Sequence, residues 1–144
     1  WYPKDQKRQA RVDEYLEWQH NNTRAFCALY FQKKVCIIFR SETNPDSLEK
    51  FKDNMVACLN NIENIWLADT PYLSGDQISA ADIFAACEIE QTRIAGFDPT
   101  EGRPILGAWL EKVRNETSPF YEEAHTVLNK LAQQAKEPKI KARL

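Results

Sequence analysis

Glycine is scarce in this chain. Four glycines in 144 residues leave few β-hairpin turn signals, and the composition leans toward helix. Two histidines are present, His20 and His125, and neither has a ligand partner nearby in sequence, so no metal site is expected. No glycine-rich phosphate loop occurs. No apolar run approaches the roughly 20 residues needed to cross a bilayer, and none reads as a signal peptide; no membrane partner is expected. A basic excess is also missing. Nineteen Lys and Arg face 21 Asp and Glu, for a net charge of −2, which argues against a nucleic-acid binder. The four cysteines, Cys27, Cys36, Cys58 and Cys87, form no Cys-x-x-Cys pair or zinc pattern. They lie in or beside apolar runs, as small buried hydrophobes do, so free structural thiols in a reducing, cytosolic setting are expected. The chain opens on Trp1-Tyr2-Pro3 without an initiator methionine, as a fragment would.

What is present is helical periodicity. Pro3 suits a first helical turn. The pattern Val12, Tyr15, Leu16, Phe26, Leu29 and Tyr30 predicts one long helix running to about Arg40. Asn44-Pro45-Asp46 reads as an N-cap, a first-turn proline and an acid at the positive end of the dipole. The stripe behind it is Leu48, Phe51, Met55, Cys58, Leu59, Ile62, Ile65 and Trp66. Leu73-Ser74-Gly75-Asp76 is a turn, and Ser79 with Asp82 three residues later is a capping box, flanked by Ile78 and Ile83 as a hydrophobic staple. The segment from Ala80 to Ala95 is apolar on nearly every face except Glu88, Glu90 and Arg93, so it is expected to be the central, most buried helix. Pro104 opens a helix bearing Leu106, Trp109, Leu110 and Val113. Pro119 opens a last one bearing Phe120, Ala124, Val127, Leu128 and Leu131. The sum is an all-α bundle of about five helices over residues 1–136, with a basic, mobile tail at 137–144.

One feature breaks the first stripe. Positions that should be apolar are Gln19, Asn22 and Thr23, and beside them run Asp13, Glu17, His20 and Arg24. A polar interruption in a core-facing stripe needs hydrogen-bond partners or an opening to solvent. It reads either as a cleft wall offering Arg24 to an anion, or as a solvated face or subunit contact. No catalytic triad can be assembled; Trp1, Tyr15, Trp18, Trp66 and Trp109 read as core or interface residues, and His125 as a satisfied surface or core histidine.

Several segments together resemble a known family. Trp1 to Asp5 with Ala10 to His20 is similar to the first helix of the C-terminal domain of theta-class glutathione transferases. Tyr72 to Asp82 resembles the capping segment of the wider superfamily. Phe97, Glu101 to Pro104, Trp109, Phe120 and Glu123 to His125 continue the likeness. The stretch from Phe26 to Asn44 follows the family only loosely. The resemblance implies a glutathione-transferase C-terminal helical bundle that packs, in the whole protein, against a thioredoxin-like domain carrying the activating serine and most glutathione contacts. Glutathione is the implied co-substrate, with small electrophiles as partners, homodimerisation, a cytosolic location and a role in detoxification. This chain would supply the electrophile wall and half of a dimer contact, and would be inactive alone. The implied substrate-binding residues are Gln19, His20, Asn21, Asn22, Thr23 and Arg24, with Arg24 supporting catalysis. The alternative is a transferase-like helical domain that serves only as a protein-association module.

Overall fold

The computed structural model describes residues 1–38 and 45–136, with side chains described for 1–34 and 47–135. Cys36, the Asn44 cap and the predicted tail at 137–144 lie outside these. Among the described residues the chain is helical, with one isolated β-bridge between Tyr72 and Gly75. The described residues form seven α-helices: α1 (Gln6–His20), α2 (Thr23–Ile38), α3 (Pro45–Asn61), α4 (Ala80–Glu90), α5 (Pro104–Thr117), α6 (Phe120–Ala124) and α7 (Thr126–Lys136). A π-helical turn, Ile62–Trp66, extends α3, and a 3-10 turn, Gln91–Ala95, extends α4.

The predicted long first helix is two helices. It begins at Gln6 rather than at Pro3, because the Asp5 carboxylate caps it by accepting from the Arg8 amide at 3.0 Å. It ends at His20. The Asn22 side chain donates to the Trp18 carbonyl at 2.8 Å, while the Asn22 carbonyl accepts from the Phe26 amide at 2.8 Å. One residue therefore closes α1 and opens α2. Asparagine does this because its short amide competes for backbone groups.

The π-helical turn carries Glu63, which is buried. Its carboxylate accepts from the Ile105 amide at 3.1 Å and the Leu106 amide at 2.6 Å. Those are orphan donors in the first turn of α5, and the negative charge sits at the positive end of that helix. Sequence periodicity treated this segment as the last turn of a stripe and put Ile65 in the core. The π geometry turns Ile65 outward, leaving it 69% exposed.

The capping box at Ser79 and Asp82 forms, and Asp82 does more than cap. It is fully buried and accepts four hydrogen bonds: from the Ser79 amide at 2.9 Å, the Ser79 hydroxyl at 3.0 Å, the Leu73 amide at 2.9 Å and the Trp109 indole at 2.9 Å. The donors are uncharged. This one carboxylate ties the 73–79 loop, α4 and α5 together. The loop itself turns at Gly75, where a φ of +132° suits only glycine. The Trp1 carbonyl accepts from the Ala80 amide at 2.7 Å, so the first residue also lies against the start of α4.

α4 is buried along much of its length, as expected, but one face needs correcting. Ala81, Ala85, Ala86 and Ile89 are core, but Phe84 is 52% exposed and Cys87 is also exposed. Glu90 is buried instead, paired with Arg93 and, at 3.7 Å, with Arg114. The predicted last helix is likewise two, divided at His125. Phe120, Val127 and Leu131, assigned to the core by periodicity, are 72%, 69% and 41% exposed. The break shifts the register, so Tyr121, His125 and Ala132 face inward. His125 is satisfied there, its Nδ1 lying 2.8 Å from the Tyr121 carbonyl and its ring stacked on Tyr121 at 4.1 Å.

Asp82→Ala would leave the Trp109, Leu73 and Ser79 N–H groups unpaired in the interior. At about 1–3 kcal/mol per unsatisfied group, it should cost at least about 3 kcal/mol. Trp109→Phe, which removes one donor, should cost less. Urea unfolding checks this as a lowered midpoint at unchanged slope.

Candidate functional site

The helix break distributes the six predicted binding residues among three environments. Gln19 and Thr23 point into the protein and are buried. Thr23 pairs with the Tyr15 hydroxyl at 3.1 Å and accepts from the Cys58 thiol at 3.7 Å. The Oε1 of the Gln19 side-chain amide has no hydrogen-bond partner among the described residues. Asn22 is half-buried and acts as the cap described above. His20, Asn21 and Arg24 are exposed. Much of the polar interruption thus serves the turn between α1 and α2, and its solvent-facing part is the run His20, Asn21 and Arg24.

Arg24 stands in the first turn of α2, a helix with no acidic residue in that turn. A cation there adds to the positive end of the helix dipole instead of opposing it. The only ion-pair partner among the described residues comes from another helix. Glu88 on α4 places its Oε1 3.6 Å from the Arg24 Nε. The two side chains differ in exposure, 57% for Arg24 and 16% for Glu88. Burial raises the Glu88 carboxyl above the usual carboxylate range, and the Arg24 charge partly offsets that. Sequence reasoning noted Glu88 only as a polar exception on an apolar helix. That exception was the available signal.

Behind this edge the packing is tight and aromatic. Tyr15 meets Trp66 edge-on at 5.0 Å, and Trp18 lies 5.3 Å from Trp66. Burial pushes the Tyr15 phenol far above its ordinary range. The thiols nearby are buried too, and burial drives Cys27 well up and Cys58 up to about 11. No group of His, Cys, Asp and Glu among the described residues could hold a metal ion.

An apolar cavity of about 420 Å³ lies elsewhere, between α4, α5 and α6. Its walls include Ile83, Ala86, Val113 and Tyr121, together with the exposed Trp1 and Phe120. None of residues 19–24 lines it.

Residues 24–116 match the family described as Glutathione S-transferase, C-terminal domain. The chain belongs to that family. Among curated relatives, it is 36% identical over 133 residues to mouse glutathione S-transferase theta-3, covering 90% of this chain and 55% of the relative. Human glutathione S-transferase theta-1 is 34% identical with the same coverage. The fold agrees with solved structures. The apo form of human glutathione-S-transferase T1-1 superposes with a TM-score of 0.83 at 33% identity, over 92% of this chain and 57% of that one. A human theta-class enzyme in complex with the glutathione conjugate of 1-menaphthyl sulfate gives 0.85 at 30% identity, over 94% and 56%. The chain therefore spans a little over half the length of the theta-class relatives it matches, and the all-α transferase C-terminal fold is established. No helix among the described residues is long and apolar enough to cross a membrane.

In a Cys36→Ser background, a thiol reagent should label Cys87 in the folded protein and reach Cys27 and Cys58 only after unfolding. Burial, and then the charges of Glu88 and Glu90, raise the Cys87 thiol. Its labelling should therefore be slow near neutral pH and accelerate as pH rises. Thiol titration against time, with and without urea, checks both parts. Prompt labelling of more than one thiol in the folded state would contradict the burial described above.

Proposed function

We propose that this chain is the helical half of a glutathione transferase, and that Arg24 stabilises negative charge on the glutathione thiolate or on the leaving group. The observation that carries this is an exposed guanidinium at a helix N-terminus, where guanidinium and dipole add to give a positive site facing solvent. In this reading the thiolate forms a carbon–sulfur bond as the electrophile's leaving group departs with its electron pair. Charge moves from sulfur to the leaving group, and a guanidinium can hold it at either end. A sulfate ester is the apt test electrophile, since Arg matches its oxygens bidentately and a theta-class neighbour was solved with the conjugate of one.

Glutathione itself would be held and its thiol activated chiefly by a thioredoxin-like domain, whose serine lowers the thiol pKa. The apolar cavity, with Trp1, Phe84 and Phe120 exposed around α4 and α6, is a fitting seat for that domain. On this view the present chain has no conjugating activity alone. His20 and Asn21 lie beside Arg24 on the electrophile side, while Gln19, Asn22 and Thr23 shape the wall from behind. Homodimerisation, cytosolic location and a detoxifying role belong to the same reading, and the free, buried Cys27 and Cys58 suit a reducing compartment.

A second reading also has an observation in its favour. Asn22 and Thr23 make their hydrogen bonds within the chain, as a helical domain used only for protein association would require.

Arg24→Ala in the full-length protein decides between them. Turnover of 1-menaphthyl sulfate with glutathione should fall by about tenfold or more, roughly 1.4 kcal/mol of transition-state stabilisation, with the thermal midpoint unchanged. Unaltered turnover would remove Arg24 from the site. A full-length protein with no conjugating activity and no glutathione binding would favour the association module.

A further inference from the structure

We infer that Glu88 is a positioning residue for Arg24: reaching across from α4, it fixes where the guanidinium stands at the start of α2. The inference rests on the reading of Arg24 given above, and its own support is geometric.

Arg24 receives no help from its own helix. A cation in the first turn adds to the positive end of the dipole and is repelled by it, and α2 has no acid there to offset that repulsion. The contact that holds it comes from α4, through Oε1 of Glu88 to Nε at 3.6 Å. Nε lies 3.6 Å from the carboxylate, and the two terminal nitrogens of the guanidinium make no hydrogen bond among the described residues. Those are the atoms that bind an oxyanion in a fork. The asymmetry of exposure assigns the roles. Glu88, at 16%, is largely enclosed by its surroundings, whereas Arg24, at 57%, has a long side chain with freedom to wander. An exposed arginine that must meet a reacting group loses rotamer entropy on doing so, and a fixed carboxylate beside it reduces that loss.

Glu88 has no other evident task. It makes no further ion pair among the described residues, whereas the other two acids of α4, Asp82 and Glu90, have partners of their own. The other titratable groups that feel its charge are thiols, Cys27 on α2 and Cys87 beside it on α4. Both are neutral near physiological pH and offer Glu88 no compensation. Its carboxyl is accordingly raised by burial. For packing alone an apolar or amide side chain would do better, and the carboxylate is explained by the arginine opposite it.

A double-mutant cycle on the full-length protein tests this, comparing wild type, Glu88→Gln, Arg24→Ala and the double variant in the conjugation assay above. Glu88→Gln should lower kcat by about fivefold with the KM for glutathione unchanged, and should leave the thermal midpoint in place. In the Arg24→Ala background the same substitution should have no further effect, since a residue acting through another loses its role when the other is gone. Full activity in Glu88→Gln, or multiplicative losses in the double variant, would overturn the positioning role while leaving Arg24 in the site. An Arg24→Ala enzyme with wild-type turnover would instead overturn the reading on which both stand. If Glu88→Gln fails to fold, Glu88→Asp keeps the charge but shortens the reach. The same cycle with that variant should show a smaller, equally non-additive loss, and additivity there would overturn the role.

Discussion

The Asp82 carboxyl group has no exposure to water, and no cation pairs with it among the described residues. A buried carboxylate in that position is tolerated only when its oxygens are fully hydrogen-bonded. The structure supplies four donors from three places: the loop at Leu73, the helix start at Ser79 and the indole of Trp109. The placement of α4 follows from this constraint, because its first turn is held to both the preceding loop and α5. The position of Glu88 follows from that of α4, and so does the ion pair that Glu88 makes with Arg24. The charge at the edge of the candidate site is thus anchored two steps back, in a capping interaction deep in the core.

The same logic recurs at Glu63 and Glu90. Each is a buried carboxylate satisfied by a neighbouring element: Glu63 by amides at the start of α5, Glu90 by Arg93 and Arg114. Arg114 also stands over the Tyr121 ring at 5.4 Å, linking that pair to α6. In a bundle with short helices and many breaks, these polar contacts fix which turn meets which, while the apolar core contributes most of the driving force. The breaks also set local electrostatics. The one at Asn21 and Asn22 creates a helix N-terminus at Thr23, and only a new N-terminus could give Arg24 its local field.

Much of the fold was legible because strong local signals agreed with tertiary packing. The Ser79–Asp82 cap and the α5 stripe of Leu106, Trp109, Leu110 and Val113 could be read directly from spacing. What could not be read were the interruptions. A continuous 3.6-residue pattern does not disclose that Asn22 closes one helix and opens another, nor that a π-helical turn swings Ile65 into solvent. Register lost at His125 reversed the faces of the last segment, so Phe120 and Val127 are exposed and Tyr121 is buried. At the candidate site the polar break was visible, but its division into an interior pair, a cap and a solvent-facing run required coordinates. Glu88 was invisible as a partner because it comes from a helix more than sixty residues away in sequence.

The central claim is that the positive edge at Arg24 belongs to a glutathione-conjugating site completed by a second domain. The most direct measurement is a crystal structure of the full-length protein with a glutathione conjugate bound. The account predicts a thioredoxin-like domain holding the glutathione moiety, seated against the α4–α6 face. It also predicts the Arg24 guanidinium within hydrogen-bonding distance of the ligand's sulfur or of the leaving-group position, still paired with Glu88. A conjugate bound with Arg24 directed into bulk solvent, or a full-length protein with no glutathione-binding domain, would contradict it.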